Sequence, residues 1–241
     1  GVGKSEFINN LLYIEAPVVF ENAISMYIDL GTKANLAKSL KDFLLNEIEN
    51  QLFQKYDVDA QERNLVRGVY HSDLSRFAKG IYSDIRETNT ELFKQKELEF
   101  LESKINQSEE HIRQVLQHLA KARNKQVIMF FDNADQRNDE IQQETFLISQ
   151  EIAEHWRPVT VFVSLRPETF YRSLKIGALS GYHPKAFTIA PPRTDQVVAK
   201  RLRFGLKLSS GEIPVQSFSG NIEINLSNIS QLIRIFVDSL E

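Results

Sequence analysis

The sequence feature that most limits the possible fold is the segment formed by residues 1–5, GVGKS, which a helix-like segment follows directly. It matches the second half of the phosphate-binding motif G-x-x-x-x-G-K-[ST]. Glycines let the backbone turn tightly, so several N–H groups and the start of the following helix point at phosphate oxygens. In such a loop the lysine reaches the β- and γ-phosphates, and the serine hydroxyl binds Mg²⁺. We expect five residues to bind the nucleotide: Gly1, Gly3, Lys4, Ser5 and Glu6.

The first glycine of this motif, and the strand that feeds it, would precede residue 1. In folds of this type that strand lies in the middle of a parallel sheet, and a sheet without it leaves backbone groups unpaired. We therefore expect the biological chain to begin upstream, and residues 1–241 to leave a gap for one further strand.

Composition excludes several classes of protein. The chain has 241 residues, of which 42% are hydrophobic and 25% charged, as in ordinary globular domains. A net charge of −3 gives no general attraction to nucleic acid or to an anionic membrane. The chain has no cysteine, which excludes disulfides, zinc thiolate sites and thiol catalysis, and is compatible with a cytoplasmic location. No run of eighteen apolar residues is present, so we expect no membrane span.

Apolar strand-like runs alternate with amphipathic helices, a pattern typical of an α/β fold with a parallel sheet. The predicted strands are residues 23–30, 127–131, 159–164 and 185–190. The predicted helices outside the middle of the chain are residues 5–13, 35–55, 139–155, 196–206 and 226–240. We expect residues 1–205 to form a nucleotide-binding core with a helical insertion at 56–125, and residues 206–241 to form a linker and the start of a helical lid.

The insertion contains a heptad-like seam. Its positions are Leu98, Leu101, Ile105, Ser108, Ile112, Val115, Leu119 and Ala122. One interpretation is a coiled-coil arm that docks a partner. The other is a helix that is broken and recapped at Ser108 and packs along its own domain. Upstream, Arg63, Arg67 and Arg76 fit either a basic face or an ordinary solvated helix surface.

The most informative segment is residues 126–136, QVIMFFDNADQ. Five consecutive apolar residues predict a strand buried on both faces, so the acid that follows emerges at the carboxyl edge of the sheet. Asp132 is then placed to hold Mg²⁺ together with Ser5, in the Walker B role, and Asp135 to orient or deprotonate an attacking water. The alternative is a buried strand that a polar turn simply ends.

Arg166 follows the next predicted strand, and Pro167 ends ladder pairing and suits the first turn of a helix. An arginine at this edge can reach the γ-phosphate and stabilise charge in the transition state. The alternative is a surface arginine at a strand end. We therefore expect three catalytic residues: Lys4, Asp135 and Arg166.

The order of GKS, DNAD at residues 132–135 and SLRP at residues 164–167 resembles the core of the STAND ATPases, especially their NACHT-like and KAP-like branches, which are relatives of the AAA+ proteins. The resemblance covers about residues 1–205 and rests on these three short motifs. It implies a P-loop NTPase fold, a three-layer sandwich with a mostly parallel sheet and a helical lid, and it implies ATP with Mg²⁺ as the ligands. Gln136 stands where NACHT proteins often have Glu, and Ser230 where AAA+ relatives carry a sensor arginine, with Arg234 one turn later.

The leading functional hypothesis is an ATP-hydrolysing molecular switch of a larger signalling or defence-type protein. It would act as a homo-oligomer or on a partner protein through residues 60–125. A second hypothesis retains nucleotide binding without hydrolysis, in a scaffold that docks a partner through the same helices. A third, a motor or loader on DNA, needs a basic groove, and the mild acidity argues against it.

Overall fold

The computed structural model describes residues 3–31, 39–181, 184–190, 193–209 and 212. These residues fall into two compact units. The larger lies within Ser5–Lys185, and the smaller contains the described residues of Gly1–Lys4 and of Ala186–Glu241. The larger unit is a mixed α/β structure in which three parallel strands are surrounded by helices.

Eleven α-helices are present in the described residues, with a π-helical turn at Leu11–Glu15 and 3-10 turns at Ala134–Gln136 and Ala178–Gly181. In chain order they are α1 Lys4–Asn10, α2 Pro17–Glu21, α3 Leu40–Tyr56, α4 Arg63–Val69, α5 His71–Lys79, α6 Ser83–Thr88, α7 Thr90–Ile105, α8 Ser108–Arg123, α9 Asp139–His155, α10 Pro167–Ile176 and α11 Thr194–Ser209. Of these helices, none has the length and apolar composition that crossing a bilayer requires.

The sheet consists of β1 Ala23–Asp29, β2 Gln126–Asp132 and β3 Val159–Val163, in the order β1-β2-β3. All pairing is parallel, with Asp29 opposite Asp132 and Phe131 opposite Val163. Every residue of β2 after the first is buried, as its apolar run predicts for a central strand. β3 is only partly buried, with Phe162 41% exposed, because it is an edge strand among the described residues.

Helices cover both faces of the sheet. On one face, apolar side chains of α3, α8 and α9 pack on alternate residues of β1 and β2, such as Met26 and Met129. On the other, Ile8 and Leu12 pack on Ala23, Ile128 and Phe130. This sandwiched arrangement agrees with the expected α/β class and with its parallel sheet.

The outer edge of β1 is occupied by side chains of α3. The Tyr56 hydroxyl accepts from Ser25 N at 2.6 Å and donates to Ser25 O at 2.9 Å. The Gln51 amide accepts from Tyr27 N at 3.1 Å and donates to Tyr27 O at 2.6 Å. These four backbone groups face away from β2, so the side chains satisfy bonds that a further strand would otherwise make.

The heptad-like seam is not one continuous helix. α7 ends at Ile105 and α8 begins at Ser108, and Ile112 and Val115 of α8 are buried in the main core. Leu98, by contrast, is 57% exposed. These facts fit the interpretation of a helix that is recapped and packs on its own domain. The upstream arginines are surface residues, and Arg67 pairs with Glu97.

Several local predictions are confirmed and others are wrong. β1, β2 and α9 lie where the periodicity places them, and α10 begins at Pro167. The strand predicted at 185–190 is absent, and Phe187 there is 80% exposed, because a strand forms only where a neighbour supplies ladder bonds. Phe7 is also exposed rather than buried. The helix predicted at 226–240 lies outside the described residues.

Candidate functional site

The site lies at the carboxyl edge of the sheet. Because β1 and β2 run parallel and in register, their last residues, Asp29 and Asp132, are neighbours. Leu30 N donates to Asp132 O at 2.9 Å, and Ser164 N donates to Phe131 O at 2.8 Å, so all three strand ends meet in one row. The residues that follow each strand therefore come together although they are far apart in the sequence.

The Asp132 carboxylate is the centre of this edge. Its residue is fully buried, and Oδ2 accepts from Ser5 Oγ at 2.5 Å and from the Tyr27 hydroxyl at 2.7 Å. Its other oxygen, Oδ1, accepts from Asn133 N at 2.9 Å. The contact between Ser5 and Asp132 joins the end of the GVGKS segment to the end of β2.

Hydrogen bonds keep this buried carboxylate ionised. Burial raises the pKa of Asp132, but donation from Ser5, Tyr27 and the Asn133 amide outweighs burial, so the pKa lies below its ordinary value. The Ser164 hydroxyl also lowers the pKa of Asp132, although its oxygen is buried and makes no hydrogen bond of ordinary geometry. Burial, and then the hydrogen bond to Asp132, raise the pKa of Tyr27 to about 12, so its hydroxyl remains a donor at neutral pH.

The turn after β2 is fixed by a second polar network. Asn133 adopts the left-handed conformation with φ 62°, which Asn tolerates better than most residues. Its amide nitrogen donates to Asp29 Oδ1 at 2.9 Å, and its amide oxygen accepts from Gln136 Nε2 at 2.9 Å. Gly31 N also donates to Asp29 Oδ1, at 2.8 Å. Asp29 thus connects the end of β1 to the turn that carries Asp135.

Asp135 and Arg166 form an ion pair. Arg166 Nε lies 2.7 Å from Asp135 Oδ2, and the Asp135 side chain is 1% exposed. Asp135 sits in the 3-10 turn after β2, and Arg166 precedes α10 after β3, so the adjacent strands place them together. The two residues predicted to act on water and on the γ-phosphate are therefore bound to each other.

The remaining predicted residues lie at the start of the chain. Lys4 is the first residue of α1, and Gly3 precedes it with φ 76°, a conformation that favours glycine. Glu6 lies in the first turn of this helix and is exposed. Gly1 lies outside the described residues.

The donor set fits Mg²⁺ as a partner of a phosphate ligand. A hydroxyl oxygen and a carboxylate oxygen are hard ligands, and Mg²⁺ in proteins is commonly held by one or two carboxylates plus substrate phosphates and water. In the described part of the chain, no group of three or more acidic or histidine side chains is arranged to hold a metal by itself. Ser5 and Asp132 would thus hold the ion only together with a ligand that brings its own oxygens.

Sequence reasoning missed Tyr27 and Asp29. Both lie on the same face of β1, where the strand pattern alternates Ser25, Tyr27 and Asp29 with buried aliphatic residues. The alternating polar residues of this otherwise apolar strand indicated a polar face. Which residues of β2 they would contact depends on the pairing register of the two strands, which the sequence does not specify. A cavity of about 560 Å³ between α8 and α9 is lined by none of the residues of this site.

No protein-family model, curated protein or solved structure matches the chain. The geometry of the sheet edge is therefore the basis on which a function can be proposed.

Proposed function

We propose that the protein is a nucleotide-binding switch of the P-loop class that binds ATP with Mg²⁺ and hydrolyses it. The observation that carries this proposal is the contact of Ser5 Oγ with Asp132 Oδ2 at 2.5 Å. The serine ends a GKS sequence and the aspartate ends a buried central strand, and these are the two groups that hold Mg²⁺ in P-loop NTPases. The resemblance to STAND ATPases supports ATP as the nucleotide.

Each residue then has a defined role. Lys4 neutralises the β- and γ-phosphates, while Ser5 and Asp132 hold the metal ion. The ion, when bound, neutralises the charge that develops on the phosphate oxygens. Asp132 suits this role because its hydrogen bonds keep it ionised despite burial. Tyr27 donates to the same carboxylate and Asn133 holds its other oxygen, so the ligand is oriented before substrate arrives.

The ion pair of Asp135 and Arg166 connects phosphate binding to activation of water. The Arg166 side chain is 58% exposed to solvent, whereas that of Asp135 is 1% exposed. A γ-phosphate competes with Asp135 for the guanidinium, since both are anions that accept from Arg. Once Arg166 turns to the phosphate, its guanidinium no longer donates to the Asp135 carboxylate, which then accepts a proton from water.

A second candidate function follows from the same ion pair. If Arg166 stays on Asp135 when ATP is bound, no base is released and the protein keeps its nucleotide as a structural ligand. Gln136 and Asn133 carry amides that do not replace an acid in this role. In this case the protein is a scaffold that binds the nucleotide without hydrolysing it.

Binding and turnover by the full chain distinguish the two. Wild-type protein, Lys4→Ala, Asp135→Asn and the control Lys175→Ala, which changes an exposed lysine of α10, are compared for binding of a fluorescent ATP analogue and for release of phosphate. We expect Lys4→Ala to lose binding and Asp135→Asn to bind without turnover, with the control unchanged. Tight binding by wild type without phosphate release supports the scaffold, and lack of any nucleotide binding contradicts both.

A competition series with GTP checks the choice of base. We expect ATP to displace the fluorescent analogue at lower concentration than GTP does. Equal displacement by both nucleotides would contradict a specific ATP site, while the roles of the phosphate-binding residues would stand.

A further inference from the structure

We propose that Tyr27 is a positioning residue that holds the Asp132 carboxylate in the orientation needed for a divalent cation, and so sets the cation affinity of the site. This inference rests on the proposed function and adds a residue that belongs to none of the sequence motifs. Tyr27 lies on β1, not on the strand that carries the metal ligand.

The position of the Tyr27 hydroxyl is determined from both ends of the residue. Its backbone N–H and C=O are bound by the Gln51 side chain at 3.1 and 2.6 Å, and its strand pairs in register with β2 opposite Phe130. The side chain packs against the small core that Ile8 and Leu12 form with the sheet. From this fixed base the hydroxyl reaches Asp132 Oδ2 at 2.7 Å.

Both oxygens of the carboxylate are engaged. Oδ2 accepts from Ser5 and Tyr27, and Oδ1 accepts from Asn133 N. Rotation of the carboxylate about its Cβ–Cγ bond would break these bonds together, so a single orientation is favoured. If the Ser5 oxygen were to hold a cation, Tyr27 would remain as the side-chain donor that restrains Asp132 Oδ2.

Partners of this kind orient metal ligands in many proteins, and their loss commonly reduces metal affinity about 10- to 100-fold. Tyr27 is suited to the role because a phenol donates without contributing charge.

Tyr56 provides a matched control. It also places a phenol hydroxyl on β1, where it binds both backbone groups of Ser25, but it has no contact with Asp132. Tyr27→Phe and Tyr56→Phe each remove one hydroxyl from hydrogen bonds to the same sheet. A purely structural role for Tyr27 predicts similar effects of the two substitutions.

The experiment measures equilibrium binding of a fluorescent ATP analogue to the full chain, first in EDTA and then as Mg²⁺ is titrated. We expect Tyr27→Phe to raise the Mg²⁺ concentration for half-maximal effect about tenfold, with unchanged affinity in EDTA. Tyr56→Phe should leave the Mg²⁺ dependence at the wild-type value and change only the thermal midpoint. Equal Mg²⁺ dependence in wild type and Tyr27→Phe, or an equal shift in Tyr56→Phe, overturns the inference.

The two proposals fail in different ways. Wild-type protein that binds no nucleotide contradicts the proposed function, whereas Mg²⁺-dependent binding that Tyr27→Phe leaves unaltered contradicts only the role of Tyr27. If Tyr27→Phe fails to fold, the role of Tyr27 is tested instead by ¹⁹F NMR of the wild-type protein, in which the Tyr27 hydroxyl is intact. With 3-fluorotyrosine incorporated, Mn²⁺ and ATP should broaden the Tyr27 ¹⁹F resonance more than that of Tyr56, and equal broadening overturns the inference.

Discussion

Arg166 Nε lies 2.7 Å from Asp135 Oδ2, and the two partners differ in exposure: 58% of the Arg166 side chain is accessible to solvent but only 1% of that of Asp135. The Arg166 side chain is thus accessible to a second anion from solvent, while the Asp135 side chain lies buried in its turn. A competing anion for the arginine changes the environment of the aspartate without moving the backbone that carries it.

The first prediction concerns this pair. Arg166→Ala should destabilise the protein by about 1–3 kcal/mol, because the buried Asp135 carboxylate loses a charged hydrogen-bond donor. Solvent screening of the half-exposed arginine favours the lower part of this range. Urea unfolding at neutral pH measures the change. The double variant Arg166→Ala, Asp135→Asn should be less destabilised than the sum of the single variants, and strict additivity would show that the pair is not coupled.

The second prediction concerns acid. The pKa of Asp132 is lowered in the folded protein, so the unfolded chain binds its proton more readily as the pH falls toward the ordinary value of 3.8. The stability that this group contributes is therefore complete above that value and is lost as the pH falls through the folded pKa. Urea unfolding of wild type and Asp132→Asn from neutral to acid pH should show a shallower loss in the variant. An equal loss of unfolding free energy with falling pH in both proteins would contradict a lowered pKa of Asp132.

The third prediction tests the turn after β1. A Cβ added at Gly31 would lie 2.7 Å from Gln136 Oε1 and 2.9 Å from Asn133 Cβ, so Gly31→Ala must displace the network that holds the turn after β2. We expect a loss of about 1–3 kcal/mol in unfolding free energy, as for other overpacked sites. Gly181→Ala is the control, since no atom of the described residues lies within 4 Å of its added Cβ. Equal unfolding midpoints for the two variants would argue against a fixed turn.

The fourth prediction concerns the buried His111, away from the site. His111 is 2% exposed, with Nδ1 3.0 Å from the Tyr70 hydroxyl and Nε2 2.9 Å from Ala60 O. A carbonyl only accepts, so Nε2 donates to it, and in the neutral imidazole Nδ1 then accepts from the Tyr70 hydroxyl. Tyr70→Phe leaves Nδ1 buried without this donor and should cost about 1–3 kcal/mol. Thermal unfolding checks this against Tyr171→Phe, at a 62% exposed position, where little change is expected.

Hydrophobic pattern was sufficient to predict those elements whose burial is decided locally. The apolar run of β2 and the periodic spacing in α9 specify a central strand and a core-facing helix, and both are observed. The run at 185–190 has a comparable pattern but no ladder, because its state depends on a partner strand rather than on its own residues. A short apolar segment is thus reliable evidence for a strand only when its neighbour is known.

The candidate site shows the same division. Ser5, Asp132, Asp135 and Arg166 were identified from motifs that lie next to predicted strand ends. The ion pair of Asp135 with Arg166 was not predicted, since the sequence directs Asp135 toward water and Arg166 toward the γ-phosphate, whereas the structure joins them to each other. Tyr27 carries no motif at all, and its importance depends on the register of β1 with β2.

The side chains of Gln51 and Tyr56 block one of the two edges at which the sheet could be extended. Since they already occupy the hydrogen-bonding groups of β1 that face outward, addition of a strand is favoured beside β3 in the part of the sheet that is described. A strand added there would lie next to the segment that ends in Ser164 and Arg166. Extension of the sheet at this edge would therefore bring new backbone next to the segment whose arginine pairs with Asp135.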